Sequence, residues 1–272
     1  MLQKQLVNRG INPLTVNFLT YLILSIPCFG FAPRINWLSF PPQFWLYSIL
    51  AGIFGALGNG FLVRALEKGE ISVLGPINAY KSIIGILGGF LLLGEIPSLW
   101  GLSGVMMIIY GSYFVLDTKE ERFSWKILLR TEIKYRLLAL ILTAIEAIFV
   151  KKITLLSSMT ATTISWCLFG TIFSFFFLLL YRTNPEIEIR KIRPGDITKS
   201  LYLAMCAGVM LITTIYSLIH LPVGYALSLF QLSSIGGIFL GYHFFNERDI
   251  RKKLFGAIVM IAGSVMIILS AA

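Results

Sequence analysis

The chain has 272 residues, 57% of them hydrophobic and 13% charged, with a mean hydropathy of +0.81. A soluble domain is about 45–50% apolar and roughly 25% charged, so this composition cannot clothe a water-facing globule and excludes a soluble fold. The net charge of +10 does not describe a nucleic-acid surface either: the Lys and Arg residues form short clusters between long apolar runs, with no basic stripe interleaved with aromatics.

A membrane-spanning helix needs about 20 mostly apolar residues. On that measure the sequence predicts nine helices, over 13–33, 43–63, 72–94, 99–116, 137–156, 160–181, 200–219, 224–245 and 254–271. The runs are continuous rather than alternating, which selects helices over barrel strands. The expected fold class is an all-α integral membrane protein, a polytopic helical bundle. The two longest connections, 117–136 and 182–199, are polar and rich in Lys and Arg. Followed across the bilayer, 19 Lys and Arg residues fall on one side and three (Arg34, Lys151 and Lys152) on the other, with Lys81 inside a helix. Short-loop cations are retained in the cytoplasm, so both long connections are expected there and the C-terminus outside, in a cell's inner (cytoplasmic) membrane. Trp37, Trp45, Trp100 and Trp125 fall near helix ends, as an interfacial belt requires. Cys28, Cys167 and Cys206 lie within apolar runs at no metal-ligand spacing and read as small hydrophobes. Residues 1–5 lack the apolar core and cleavage site of a removable signal peptide.

Sliding the chain by 152 residues superimposes 79–116 on 231–268 without a gap. Ser82, Ile83, Gly85, Ile86 and Gly89 then match Ser234, Ile235, Gly237, Ile238 and Gly241. Glu95, Leu102, Gly104, Ile109, Gly111 and Ser112 match Glu247, Leu254, Gly256, Ile261, Gly263 and Ser264, giving 11 identities over 38 positions. The repeated unit is a glycine-studded helix, a Glu at its exit and a second helix with a Gly-x6-Gly stripe, spacing that lets helix backbones approach closely in lipid. The expected organisation is a first repeat over 1–116 with four helices, a basic connection over 117–136, and a second repeat over 137–272 with five. Residues 4–31 align with 152–179, so the partner of helix 137–156 is expected upstream of Met1, as a tenth helix. Five helices per repeat place the second copy upside down relative to the first.

The segments GPINAYKSIIGILGGFLLLGEIPSLWGLSGVMMIIYGSYFVL and SLFQLSSIGGIFLGYHFFNERDIRKKLFGAIVMIAGSVMIIL resemble the ends of EamA-type repeats in the drug/metabolite transporter superfamily. The resemblance rests on the helix-exit Glu95 and Glu247 and on the glycines one and two turns later. It implies a permease built from inverted repeats, with ten helices in the full architecture and both ends cytoplasmic. It also implies that the first, third and fourth helices of each repeat line a central cavity. Helix 72–94 would be a fourth helix and 137–156 a first helix.

Ionisable groups at membrane depth cost about 2.5–3.5 kcal/mol each on insertion scales and mark functional sites by default. Two qualify: Lys81, about midway along helix 72–94, and Glu146, about midway along 137–156. Glu146 is the candidate proton-coupling group, and it is similar in position to the key first-helix glutamate of the related small multidrug carriers. Lys81 is a candidate for holding an anionic group of a solute. The structural alternative is an ion pair between them, or Lys81 reaching a backbone carbonyl. Candidate solute contacts around them are Asn59, Asn78, Tyr80, Tyr216, Gln231 and Ser233. Asn78, Tyr80 and Lys81 follow Gly75-Pro76, a pair that loosens helix backbone, and Gln231 and Ser233 take the repeat positions of Ala79 and Lys81. Each is also a plausible interhelical hydrogen bond. Glu95 and Glu247 are expected to cap or pair with nearby backbone.

No HExxH, GxSxG or DxxD constellation appears, His220 and His243 have no ligand-spaced partner, and no GxxxxGK[ST] is present. The expectation is therefore no catalysis, no cofactor, no metal and no ATP hydrolysis by this chain. What remains is a secondary carrier of a small organic metabolite or drug-like solute, working by alternating access and drawing on protons through Glu146. The alternatives are a facilitative exchanger of an anionic metabolite and a non-transporting membrane scaffold. The expected partners are a small-molecule solute, the lipid bilayer and a second copy of the chain as a homodimer, with no nucleic acid.

Overall fold

A computed structural model describes residues 2–68, 80–116, 131–181, 183, 185–233 and 250–271, and every regular element among them is helical. The α-helices are α1 (Leu2–Asn8), α2 (Pro13–Phe31), α3 (Pro42–Lys68), α4 (Lys81–Leu93), α5 (Leu99–Leu116), α6 (Thr131–Leu156), α7 (Met159–Leu180), α8 (Pro185–Lys191), α9 (Pro194–His220), α10 (Val223–Leu229) and α11 (Ile250–Ala271). Their ends follow local chemistry. Asn12 caps α2 by accepting the Leu14 N–H at 2.9 Å, with Pro13 in the first turn. Ser158 caps α7 by accepting the Ala161 N–H at 3.2 Å. Gly94, at φ +69°, closes α4 in the left-handed region, and the N–H groups of Gly94 and Glu95 turn back to the carbonyls of Phe90 and Gly89 at 3.2 Å.

Among the described residues, the stretches Pro13–Arg34, Pro42–Glu67, Met159–Leu180 and Pro194–His220 are long and apolar enough to cross a membrane. Lys81–Leu93, Leu99–Phe114 and Leu254–Ser270 are shorter apolar helices. The 26-residue α6 is about 39 Å long at 1.5 Å per residue, and it combines that reach with the interior charges. Outward faces carry large apolar side chains, such as Phe90 and Leu91 on α4, Ile172 and Phe176 on α7, and Met205 and Val209 on α9. An apolar exterior of this kind is a lipid-facing surface.

Several boundaries depart from the sequence expectation. The connection read over 182–199 contains α8 and the first turn of α9, opened by Pro194 and by Asp196, whose carboxylate accepts the Arg193 N–H at 3.2 Å. The connection read over 117–136 ends in helix, because α6 starts at Thr131 with Glu132 in its first turn. Both misses have one cause: polar helical turns lower the hydropathy that a span search reads. In the helix expected over 224–245, the described part is α10 followed by a 3-10 turn at Phe230–Leu232. Of the helix expected over 72–94, the described part is α4, so Lys81 opens the described helix instead of standing midway along it. The N-terminal α1 was not expected. Its Leu6 and Val7, with Ile11, pack against Val63, Ile192 and Leu203.

The Gly-x6-Gly stripes of the two repeats meet face to face. A Cβ on Gly104 would lie 2.6 Å from the Gly263 carbonyl oxygen, and one on Gly111 would lie 2.6 Å from that of Gly256. As the number rises on α5 it falls on α11, so the helices run antiparallel. Gly104 and Gly256 are repeat equivalents, as are Gly111 and Gly263. Each close contact is therefore the image of the other, the self-complementary pattern of a two-fold contact. The equivalent Ser112 and Ser264 are both buried, as are Ile108 and Met260. Gly104→Leu or Gly263→Leu must push α5 and α11 apart, an overpacking that costs about 1–3 kcal/mol. The thermal midpoint in detergent micelles should fall for both, while Gly30→Ala, in α2 with nothing within 4 Å of the added Cβ, should not lower it.

Candidate functional site

Glu146 sits in the interior at 7% exposure, on α6 where it passes α3 and α7. The Trp166 indole N–H on α7 donates to its Oε1 at 2.6 Å. The Trp166 ring packs on Tyr21 of α2, centroids 4.6 Å apart, and Tyr21 is 2% exposed. The Asn59 amide on α3 donates to the Tyr21 hydroxyl oxygen at 2.8 Å, which leaves the tyrosine its own proton to give. One step away, the Asn17 amide donates to the Ala56 carbonyl at 3.1 Å and ties α2 to α3.

Two glycines make this cluster possible. A Cβ on Gly55 would collide with the Glu146 carboxylate and lie 3.2 Å from the Tyr21 hydroxyl. A Cβ on Gly170 would run into the Tyr21 ring. Four helices thus bring one carboxylate, one phenol, one indole and one amide together, with the carboxylate and the phenol buried and the indole and the amide partly so.

The cationic side is Lys81 with Arg136. The Lys81 ammonium lies 5.9 Å from the centre of the Phe230 ring, and it feels attraction from Glu146 and repulsion from Arg136. Arg136 is 8% exposed, in the first turns of α6. Among the described residues no ion pair joins Lys81 to Glu146, so the structural alternative of a direct pair is not what the structure contains. Lys81 also opens α4, where the helix dipole adds positive potential to that of the ammonium.

The other candidates separate. Asn59 joins the Glu146 cluster through Tyr21. Tyr80 is 52% exposed at the start of α4. Tyr216, 58% exposed, stacks on His220 at 4.4 Å on the outward face of α9, away from the cluster. Ser233 is exposed and donates to the Phe230 carbonyl at 2.7 Å. Asn78 and the side chain of Gln231 lie outside the described residues, as does Glu247. Sequence reasoning missed Tyr21, Trp166, Arg136, Gly55 and Gly170. Trp166 carried a signal, since a tryptophan two turns inside an apolar run is removed from the helix end and its N–H needs an acceptor. Tyr21 carried a similar one.

Among solved structures, 28 chains match this one. One, a crystal structure of a protein at 15% identity, superimposes with a TM-score of 0.73, covering 99% of this chain and 93% of its own. At that identity the likeness shows the fold alone. No curated protein sequence matches. The profile of the EamA-like transporter family, however, matches residues 1–117 and 131–269. A match of that extent, over a helical bundle with apolar faces and a polar cluster at depth, makes the chain a membrane transporter of the drug/metabolite superfamily, and it belongs to the EamA-like transporter family.

Proposed function

We propose that this chain is a secondary carrier of a small organic metabolite or drug-like solute. Its two repeats, 1–116 and 137–272, rock about a site at mid-membrane, and Glu146 is the coupling group. The carrying observation is the state of that carboxylate. It is buried, it accepts a hydrogen bond from a neutral indole, and among the described residues it forms no ion pair with Lys or Arg. A carboxylate with no cation paired to it in the interior is costly, so taking up a proton or a cationic group of a solute lowers that cost. Water admitted from one face at a time lets the same carboxylate release what it took. Trp166, Tyr21 and Asn59 hold its orientation through the cycle.

The half-buried Lys81 and the buried Arg136 favour an anionic or zwitterionic solute, with the start of α4 adding to their field. The excess of Lys and Arg at the Arg9 end of the bundle favours a cytoplasmic position for that face, in a cell's inner membrane.

The test is proton movement across proteoliposomes while pooled metabolites and drugs are added. Wild type should show a solute-dependent proton flux that Glu146→Gln abolishes, and Lys81→Ala should weaken solute binding more than it weakens proton exchange. Solute entry without protons in wild type would make Glu146 structural and the protein an exchanger. Failure of every labelled solute to cross would remove the carrier reading. Separately, Trp166→Phe keeps an aromatic side chain but deletes the donor to a charged acceptor, a loss of about 1.5–3 kcal/mol for the hydrogen bond alone. It should lower the thermal midpoint in wild type but much less in a Glu146→Gln background, measured as a double-mutant cycle.

A further inference from the structure

The two repeats are joined by charged groups at both ends of the bundle. The ends are marked by one helix: α9 carries Asp196 in its first turn and stops at His220, just before Leu221, a span of about 36 Å at 1.5 Å per residue from Asp196, enough to cross the hydrocarbon core.

At the Leu221 end the first repeat supplies Glu95, just past α4. Its Oε1 pairs with Lys151 of α6 at 2.6 Å, and its Oε2 accepts the Val223 N–H at 2.8 Å, capping α10. Lys151 also donates to the Leu221 carbonyl at 2.7 Å. One carboxylate and one ammonium therefore satisfy the broken backbone between α9 and α10, and both side chains are mostly buried, at 15% and 11% exposure. Glu95 does act as a cap, but across the repeat boundary and with an ion pair added.

At the Asp196 end the first repeat supplies Arg9, Gly10 and Asn12. Arg9 pairs with Asp196. The Asn12 N–H donates to Glu188 Oε2 at 2.8 Å, while Lys191 bonds Glu188 and donates to the Gly10 carbonyl at 3.4 Å. Here the Arg9 side chain is 47% exposed.

We infer that these two clusters are the latches of the transport cycle, both shut in this structure around Glu146, and that the Arg9–Asp196 latch is the weaker and opens first. The inference rests on the carrier reading. Halves that rock must break contacts at one end while keeping those at the other, and the contact type sets the cost. A buried ion pair about breaks even, because the desolvation lost on closing is regained when water enters. An apolar seal would instead have to expose its whole area to water. The buried Glu95–Lys151 pair is shielded from salt, whereas the half-exposed Arg9–Asp196 pair is screened and contributes little.

The test needs no solute, so it can fail while a flux assay succeeds, and the reverse. Cys28, Cys167 and Cys206 are replaced by alanine, and a single reporter, Ala147→Cys, is placed beside Glu146. A membrane-impermeant maleimide is then added to one face of proteoliposomes at a time. Labelling should be slow from both faces, but faster from the Arg9 face and accelerated there by salt. Lys151→Met should raise labelling from the Lys151 face several-fold and lower it from the Arg9 face. Asp196→Asn should raise it from the Arg9 face alone, and Lys151→Arg should behave as wild type. Variants are compared only where gel filtration shows a single monodisperse peak; Lys151→Arg and Asp196→Asn, which keep shape, decide the case if Lys151→Met does not fold. Unchanged rates in all variants, or a rise from both faces in any one, would overturn the inference.

Discussion

A carboxylate inside a bilayer-embedded bundle must have a donor, and the donor must be held in place by packing that leaves room for both. Glu146 meets this with the Trp166 indole at 2.6 Å, and the rest of the centre follows from it. Trp166 is braced by Tyr21, and Tyr21 is oriented by Asn59. The four helices approach closely enough for these contacts because Gly55 and Gly170 present no side chain where the carboxylate and the phenol ring lie. Lipid offers no hydrophobic drive for helices to associate, so close packing and interhelical hydrogen bonds supply the cohesion. The candidate site and the packing of the bundle rest on the same contacts.

The second organising feature is the repeat. The stripes Gly104/Gly111 and Gly256/Gly263 could be read from the sequence as packing surfaces, but their partner could not. The structure pairs each stripe with the other in antiparallel register, so the two repeats use their identities against one another.

Much of the fold was legible because spans are long apolar runs and the bilayer permits few alternatives to a helix. What escaped was polar: α1, α8 and the first turns of α6 and α9 carry charges that hide helical structure from a hydropathy reading. Of the site, Glu146 stood out because a lone acid in an apolar run has few bland explanations. Trp166 and Tyr21 did not, since an aromatic in a membrane helix is ordinary until its polar atom is seen to face an acid. Tyr216 misled for the converse reason: nothing in the sequence fixes which face of α9 looks outward. Lys151, counted as an end-of-helix cation, is buried because its partner Glu95 comes from 56 positions earlier in the chain, a separation no local pattern reveals.

The central claim is that Glu146 exchanges protons within the membrane interior. Infrared difference spectroscopy on proteoliposomes, following the carbonyl stretch of protonated carboxylic acids as pH is lowered, tests it with no knowledge of the solute. The account predicts an acid carbonyl band in a dry environment that grows in wild type, is missing in Glu146→Gln and shifts in Trp166→Phe as its hydrogen bond is lost. Identical difference spectra for wild type and Glu146→Gln would contradict it and leave Glu146 a structural acceptor for Trp166.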